Sequence, residues 1–163
     1  MIALHTIGYQ RARPADFVAA LKAASVTTLI DVREIAWSRR REYAKKALAE
    51  TLAAAGIAYL HLKGLGTPKS GRAAANAGDR AGFEAIFAAH TATPEFRSDL
   101  ARAADLARAG GACLMCYERD PDDCHRKIVA GLIRDKEGFA IRHIMVGPGD
   151  NSGAAAAAQG ELP

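Results

Sequence analysis

Strand signals and helix signals alternate along this chain, and that alternation constrains the fold more than any other feature. Runs of apolar and β-branched residues predict strands at residues 4–8, 27–32, 57–62, 112–115 and 139–146. Helix-start residues and helical periodicity predict helices between them, at residues 14–24, 44–55, 79–90, 93–110 and 124–137. Strands connected through helices pair mostly in parallel, so we expect an α/β fold. It would be a single three-layer domain with a mostly parallel sheet of about five strands flanked by helices.

Two segments fall outside this alternation. Residues 63–78 carry four glycines and Pro68, which predicts a long loop of the kind that is often functional. Residues 147–163 are Gly, Pro, Asn and Ser followed by an alanine run. That tail cannot bury enough apolar surface to offset its ordering entropy, so we predict a folded domain over residues 1–146 and a disordered tail.

Composition narrows the class of protein. No apolar run approaches the roughly 20 residues that span a bilayer, and the N-terminus lacks a charged segment followed by an apolar one. Three cysteines do not suggest a secreted disulfide framework. We therefore expect a cytoplasmic protein with no membrane partner. The net charge of +4 favours anionic ligands.

Reactive residues follow the predicted strands, where α/β sheets bind their ligands. Because the carboxyl ends of parallel strands share one edge, these residues should gather there although they are scattered in sequence. The residues expected at this edge are Gly8, Tyr9, Gln10, Arg11, Asp31, Arg33, Arg39, Arg40, Arg41, His61, Lys63, Cys116 and Glu118.

The stretch CYERDPDDCHR, which begins at Cys116, carries the densest chemistry in the chain. One of the two aspartates before Cys124 can cap the following helix, which places Cys124, His125 and Arg126 in its first turn. Free N–H groups, a positive helix dipole and Arg126 should then lower the pKa of the Cys124 thiol and attract an anion. Cys124 is predicted to be a nucleophile or a ligand.

Glu118 and His125 are the acid–base candidates of this stretch. Cys116 and Glu118 follow a strand directly, and strand alternation puts both on the same side. Glu118 could be a general base, or it could form a salt bridge with Arg33 or Arg126. Arg33 and Arg126 could instead clamp a phosphate or carboxylate.

Metal binding is the competing interpretation of the same residues. Cys116, Glu118, Cys124 and His125 are four plausible donors, and zinc prefers tetrahedral sulfur and nitrogen ligands. Adjacent side chains at a helix start splay apart, however, and the chain has no Cys-x₂-Cys pair. The sequence therefore predicts no metal and no cofactor. Cys113 is predicted to lie in the core.

Basic and aromatic residues elsewhere supply further binding candidates. Asp31 could orient an arginine or His125. Arg39 and Arg40 belong to the densest basic run, which is either a solvated surface or a guide for a phosphate-bearing ligand. Aromatic residues on each side of that run, Trp37 and Tyr43, would suit base stacking, so nucleic acid is a possible partner. In the glycine-rich segment, Lys69 and Arg72 could close over a bound anion.

Together these motifs resemble the DUF488 family over residues 4–146. The matching motifs are Thr6-Ile-Gly8, Asp31-Val-Arg33, Ser38-Arg-Arg40, the LGTPKSGR of residues 65–72 and Cys-x-Glu-x-x-Pro-x-x-Cys-His-Arg. The resemblance implies a fold and a site position rather than a reaction, because the function of the family is unknown. The site residues it implies are Asp31, Arg33, Cys116, Glu118, Cys124, His125 and Arg126. Many members have His-Ser where this chain has Tyr9-Gln10, and proline where it has Ala36.

Two functional hypotheses follow. The first is an enzyme that binds a small anionic substrate, phosphate-bearing or nucleotide-like, at the carboxyl edge of the sheet. Cys124 would be its thiolate, Glu118 or His125 its acid–base group, and Arg33 with Arg126 its anion clamp. The second is a non-catalytic module that binds nucleic acid or a nucleotide, with a Cys/His/Glu metal-binding protein as a further alternative.

Overall fold

The computed structural model describes residues 2–147. The strands within this range form one five-stranded sheet. All strand pairs are parallel, and the order is β3-β2-β4-β1-β5. The strands are β1 Ala3–Gly8, β2 Thr28–Asp31, β3 Ala58–His61, β4 Ala112–Cys116 and β5 Ala140–Ile144. The predicted α/β class and strand number are confirmed. Most of the predicted disordered tail, from residue 148 onward, lies outside the described residues.

Six helices connect or flank these strands. They are α1 Pro14–Ala23, α2 Lys45–Ala54, α3 Lys69–Asn76, α4 Arg80–His90, α5 Pro94–Ala109 and α6 Arg126–Glu137. Two predicted helix starts are capped by side chains, because Asp79 accepts from the Gly82 N–H and Thr93 accepts from the Phe96 N–H. Within residues 2–147, no helix combines the length and apolar character needed to cross a membrane.

Two hydrophobic cores cover the two faces of the sheet. The central strand β4 is buried along its whole length and supplies both, since successive side chains point to opposite faces. Leu114 and Cys116 belong to the core that contains residues of α4, α5 and α6. Cys113 and Met115 belong to the core that contains residues of α1 and α2. The three layers are confirmed, and Cys113 lies in the core as predicted.

The segment of residues 63–78 is not the predicted long loop. A short 3₁₀ turn occupies Lys63–Leu65, and α3 begins directly after Pro68 and continues through three alanines. At three of the segment's four glycines, Gly64, Gly66 and Gly71, an added Cβ would lie less than 3.0 Å from another group. A Cβ on Gly66 would lie 2.1 Å from the Glu34 nitrogen. Most of the glycines that suggested a long loop therefore mark close approaches of the chain, and Gly78 is the exception.

The turn between β4 and α6 also differs from the predicted one. Asp120, rather than a later aspartate, acts as the cap by accepting from the Asp122 N–H, and it starts a 3₁₀ turn over Pro121–Asp123. Cys124 follows in extended conformation (φ −133°, ψ 141°), and His125 is the N-cap residue of α6. Cys124 therefore lies just before the helix rather than in its first turn.

Candidate functional site

Two thiols and one imidazole converge where β4 ends and α6 begins. Their ligating atoms, Cys116 Sγ, Cys124 Sγ and His125 Nδ1, all lie within 4.8 Å of one another. Nδ1 is 3.7 Å from Cys116 Sγ and 3.9 Å from Cys124 Sγ. The expectation that Cys124 and His125 splay apart is wrong, because the bend before the helix turns both side chains to the same side. We call these three residues the thiol–imidazole cluster.

The main chain after β2 fixes the orientation of the imidazole. His125 Nε2 donates to the Val32 carbonyl at 2.9 Å, and the Phe87 ring packs against the imidazole with centroids 5.8 Å apart. Because a carbonyl only accepts, Nε2 carries a proton, and in the neutral ring Nδ1 is the acceptor that faces both sulfurs. A strand end and a helix start thus set one tautomer.

Electrostatics within the cluster separate the two thiols. Burial raises the pKa of the Cys124 thiol, but hydrogen bonds from Cys116 and His125 and the charges of His125 and Arg126 lower that pKa well below its usual range. The Arg126 N–H also donates to Cys124 Sγ at 3.4 Å. The pKa of Cys116 is raised by its hydrogen bond to Cys124 and by burial. The pKa of the Cys124 thiol is therefore lowered while that of the Cys116 thiol is raised, so Cys124 is the more acidic of the two.

The pKa of the imidazole shifts in the direction opposite to that of Cys124. Burial lowers the pKa of His125, but the hydrogen bond to Cys124 and the thiolate charge outweigh burial, so the pKa of His125 is raised overall. A raised imidazole pKa beside a lowered thiol pKa is the pattern that favours a thiolate–imidazolium pair over the neutral pair.

Glu118 lies beside the cluster. Its Oε1 atom is 3.8 Å from Cys116 Sγ, and burial together with the Cys124 thiolate raises the pKa of Glu118 to about 7. The carboxyl is therefore poised to gain or lose a proton near neutral pH. Within residues 2–147, neither Arg33 nor Arg126 forms an ion pair with this carboxylate.

The two predicted clamp arginines are held by the protein itself. Arg126 is fully buried and donates through Nη1 to the Glu118 carbonyl and through Nη2 to the Arg119 carbonyl, the latter at 3.2 Å. Arg33 forms a bidentate pair with the buried Asp31, with bonds of 2.9 and 2.8 Å. Asp31 thus orients an arginine, one of the two partners predicted for it.

Residues at the end of β1 contact the turn between β4 and α6. A Cβ on Gly8 would lie 1.7 Å from the Glu118 carbonyl oxygen, so only glycine allows the turn to pass there. Gln10 Oε1 accepts from the Arg119 N–H at 3.1 Å, and the Tyr9 hydroxyl accepts from Arg33 Nη1 at 3.2 Å. Gly8 was predicted to contact substrate, whereas its close neighbour here is the protein's own backbone.

Sequence reasoning did not give Tyr9, Gln10 or His61 a role in the site. His61 Nε2 donates to the Arg33 carbonyl at 2.7 Å, as His125 does to Val32, so two imidazoles hold consecutive carbonyls after β2. The only sequence signal for these three residues is their position directly at a strand end.

The remaining predicted binding residues divide into two groups. Arg40 donates to the Tyr9 and Ala12 carbonyls, and Arg72 pairs with Glu34, so both are engaged within the domain. Arg39 and Lys69 are exposed.

Comparison with known proteins identifies a family and nothing closer. A family model described as "Domain of unknown function DUF488" matches residues 13–133. No curated protein and no solved structure matches the chain. The matched region includes β2, β3, β4 and the whole thiol–imidazole cluster, and it covers well over half of the sequence. This chain therefore belongs to the DUF488 family.

Proposed function

We propose that the protein is an enzyme in which the Cys124 thiolate attacks a small anionic substrate at the carboxyl edge of the sheet. One observation carries this proposal: His125 Nδ1 faces both sulfurs while its Nε2 is bonded to the Val32 carbonyl. A histidine that merely filled space in the core would not need a fixed tautomer directed at two thiols.

Each residue of the cluster has a distinct role in this proposal. Cys124 is the nucleophile, and His125 stabilises it as the imidazolium partner. Cys116 stays protonated beside the thiolate, because its own pKa is raised. Glu118, with a pKa of about 7, can protonate a leaving group and then act as a base for the next step.

Charge near the cluster favours an anionic substrate. Arg126 lies close enough for its charge to lower the pKa of Cys124, and we propose that it acts on the substrate through the same field. Direct contacts would come from the exposed Arg39 and Lys69. Residues engaged within the domain would position this edge, namely Gly8, Asp31, Arg33, Arg40 and Arg72.

The proposal is tested by the pH dependence of thiol alkylation. Iodoacetamide at a series of pH values, followed by peptide mass spectrometry, should modify Cys124 with a midpoint below neutral pH. Cys113 should stay unmodified, because it is 0% exposed and burial raises its pKa, whereas Cys124 is 8% exposed. His125→Asn should move the Cys124 midpoint upward, toward the ordinary thiol value of about 8.5. A wild-type midpoint at or above that value, or no movement in His125→Asn, would refute the thiolate assignment.

A metal centre is a second candidate function, favoured by one observation. Two cysteine sulfurs and one imidazole nitrogen lie within 4.8 Å of one another, with Glu118 close to Cys116, and these match the donor types of a zinc site with one carboxylate or water ligand. Elemental analysis of protein purified without added metal separates the two functions. We expect nearly metal-free, folded protein. One zinc per chain that disappears in Cys124→Ser and persists in Cys113→Ser would favour the metal centre.

A further inference from the structure

Between β2 and α2, exposed and half-buried residues alternate along residues 35–41. Ala36, Ser38 and Arg40 are half-buried, and the residues on either side of each are exposed. The outward side chains are Ile35, Trp37, Arg39 and Arg41. Trp37 is 64% exposed, although it is the only tryptophan in the chain and belongs to a residue type that is usually largely buried.

The inward residues fix this segment to the domain. The Ala36 carbonyl accepts from the Lys45 N–H at 3.0 Å, and Ser38 Oγ accepts from the Arg40 N–H at 3.1 Å. The Arg40 guanidinium donates to the Tyr9 carbonyl at 3.3 Å. The outward side chains are therefore presented from an anchored backbone, which reduces the ordering entropy that a ligand would have to overcome.

The outward face and the thiol–imidazole cluster both follow strands at the carboxyl edge of the sheet. The segment leaves the carboxyl end of β2, which pairs with β4, and Tyr117 directly follows Cys116 at the end of β4. Tyr117 is 43% exposed, and its ring meets that of Tyr9 edge to face at 5.4 Å. We call the outward face of residues 35–41 together with Tyr117 the aromatic–basic surface.

We propose that the aromatic–basic surface binds single-stranded nucleic acid, with a base stacked on Trp37 and phosphates on Arg39 and Arg41. Neither arginine forms an ion pair within residues 2–147, so both charges are available to an anion. Unpaired bases have free faces for an indole, and their backbone supplies the complementary charge. A duplex hides those faces, so Trp37 favours single strands.

This inference goes beyond the proposed function, because binding at the aromatic–basic surface does not depend on a reaction at Cys124. Binding and thiol reactivity have separate readouts. Absent binding with a low-pKa Cys124 would overturn this inference alone. Intact binding with an ordinary Cys124 would overturn the thiolate assignment alone.

Tryptophan fluorescence tests the inference directly, because Trp37 is the sole indole. An oligouridylate of about 12 nucleotides, within the site sizes of single-strand binders, should quench the emission saturably. The dissociation constant should rise with salt, since bound phosphates release counterions. Oligodeoxythymidylate in a parallel titration shows whether the sugar matters. If a duplex of the same length or inorganic tripolyphosphate bound as tightly as the oligouridylate, the stacking assignment would be wrong.

Variants locate the binding surface, with anisotropy of a fluorescein-labelled oligouridylate as the readout. Trp37→Ala should weaken binding about fivefold or more. The double variant Arg39→Ala/Arg41→Ala should reduce the slope of log K against log salt by about 1.4, the value for two lost phosphate contacts on a single strand.

The matched control is Arg97→Ala/Arg102→Ala, which removes the same charge from exposed positions on α5. It should change affinity and slope much less. Equal effects of the two double variants, or unchanged binding in Trp37→Ala, would overturn the proposed surface.

Discussion

Replacement of Arg126 by alanine should destabilise the domain strongly while the helix that carries the residue stays intact. The guanidinium is fully buried and donates to the Glu118 and Arg119 carbonyls. Hydrogen bonds to a charged group contribute about 1.5–3 kcal/mol each, so loss of both should lower the free energy of unfolding by about 3–6 kcal/mol. A domain of this size loses about 2–4 °C of melting temperature per kcal/mol, which gives a drop on the order of 10 °C.

Two companion variants separate the contributions of Arg126. Arg126→Lys keeps the charge but lacks the planar guanidinium that reaches both carbonyls, so its stability should lie between those of the wild type and Arg126→Ala. Because the charge remains, Cys124 should keep more of its reactivity at low pH than in Arg126→Ala. Glu118→Gln leaves the Glu118 carbonyl in place, so it should stabilise Arg126→Ala no more than it stabilises the wild type. Thermal unfolding and Cys124 alkylation measure both effects.

The control is Arg134→Ala, an exposed arginine on the same helix. It should melt close to the wild type. A melting temperature of Arg126→Ala within about 2 °C of the wild type would show that the carbonyl contacts contribute little. A larger gain from Glu118→Gln in Arg126→Ala than in the wild type would show that the arginine mainly neutralises the carboxylate, and the reasoning would then be wrong.

Two further predictions follow from the same turn. Burial and the Cys124 thiolate raise the pKa of Glu118 to about 7, so protonation of Glu118 stabilises the fold fully below about pH 4.5, and this contribution is lost as pH rises to about 7. Glu118→Gln should therefore gain stability relative to the wild type across that window, by up to about 3 kcal/mol in denaturant titrations, and a flat difference would contradict the assignment. Gly8→Ala should displace the turn, lowering both the melting temperature and Cys124 alkylation, because its Cβ would overlap the Glu118 carbonyl. Gly131→Ala, at a helical position with ordinary contacts, is the control and should be neutral or stabilising, so equal losses in the two variants would contradict the steric argument.

The elements of the fold were predictable because their signals are local. Thr93 and Pro94 alone predict a helix start. The apolar and β-branched run after Val26 predicts a strand without information from the rest of the chain. Gly66 could not be interpreted in that way. A side chain at Gly66 would collide with the backbone of Glu34, which is distant in sequence. The glycine was therefore interpreted as part of a loop, although it marks a close approach of two chain segments.

The site was predictable in its residue types and only partly in its geometry. Cys124 and His125 carry chemistry that shows in the sequence, but the backbone carbonyl of Val32 that orients the imidazole has no sequence signature. The same limit applies to Arg126. A guanidinium can bind a ligand, a carboxylate or main-chain oxygens, and the sequence does not say which.

The strand order also governs when the thiol–imidazole cluster can exist during synthesis. β1 leaves the ribosome first but lies inside the sheet, where Gly8 pairs with Cys116 and Ile7 with Ile144. Its neighbours β4 and β5 are synthesised after β2 and β3. Both edges of β1 therefore stay unpaired while β2 and β3 can already pair. Cys116 and Cys124 gain their imidazole partner after these late pairings form. A nascent chain therefore carries Cys116 and Cys124 before it has the arrangement that we propose activates them.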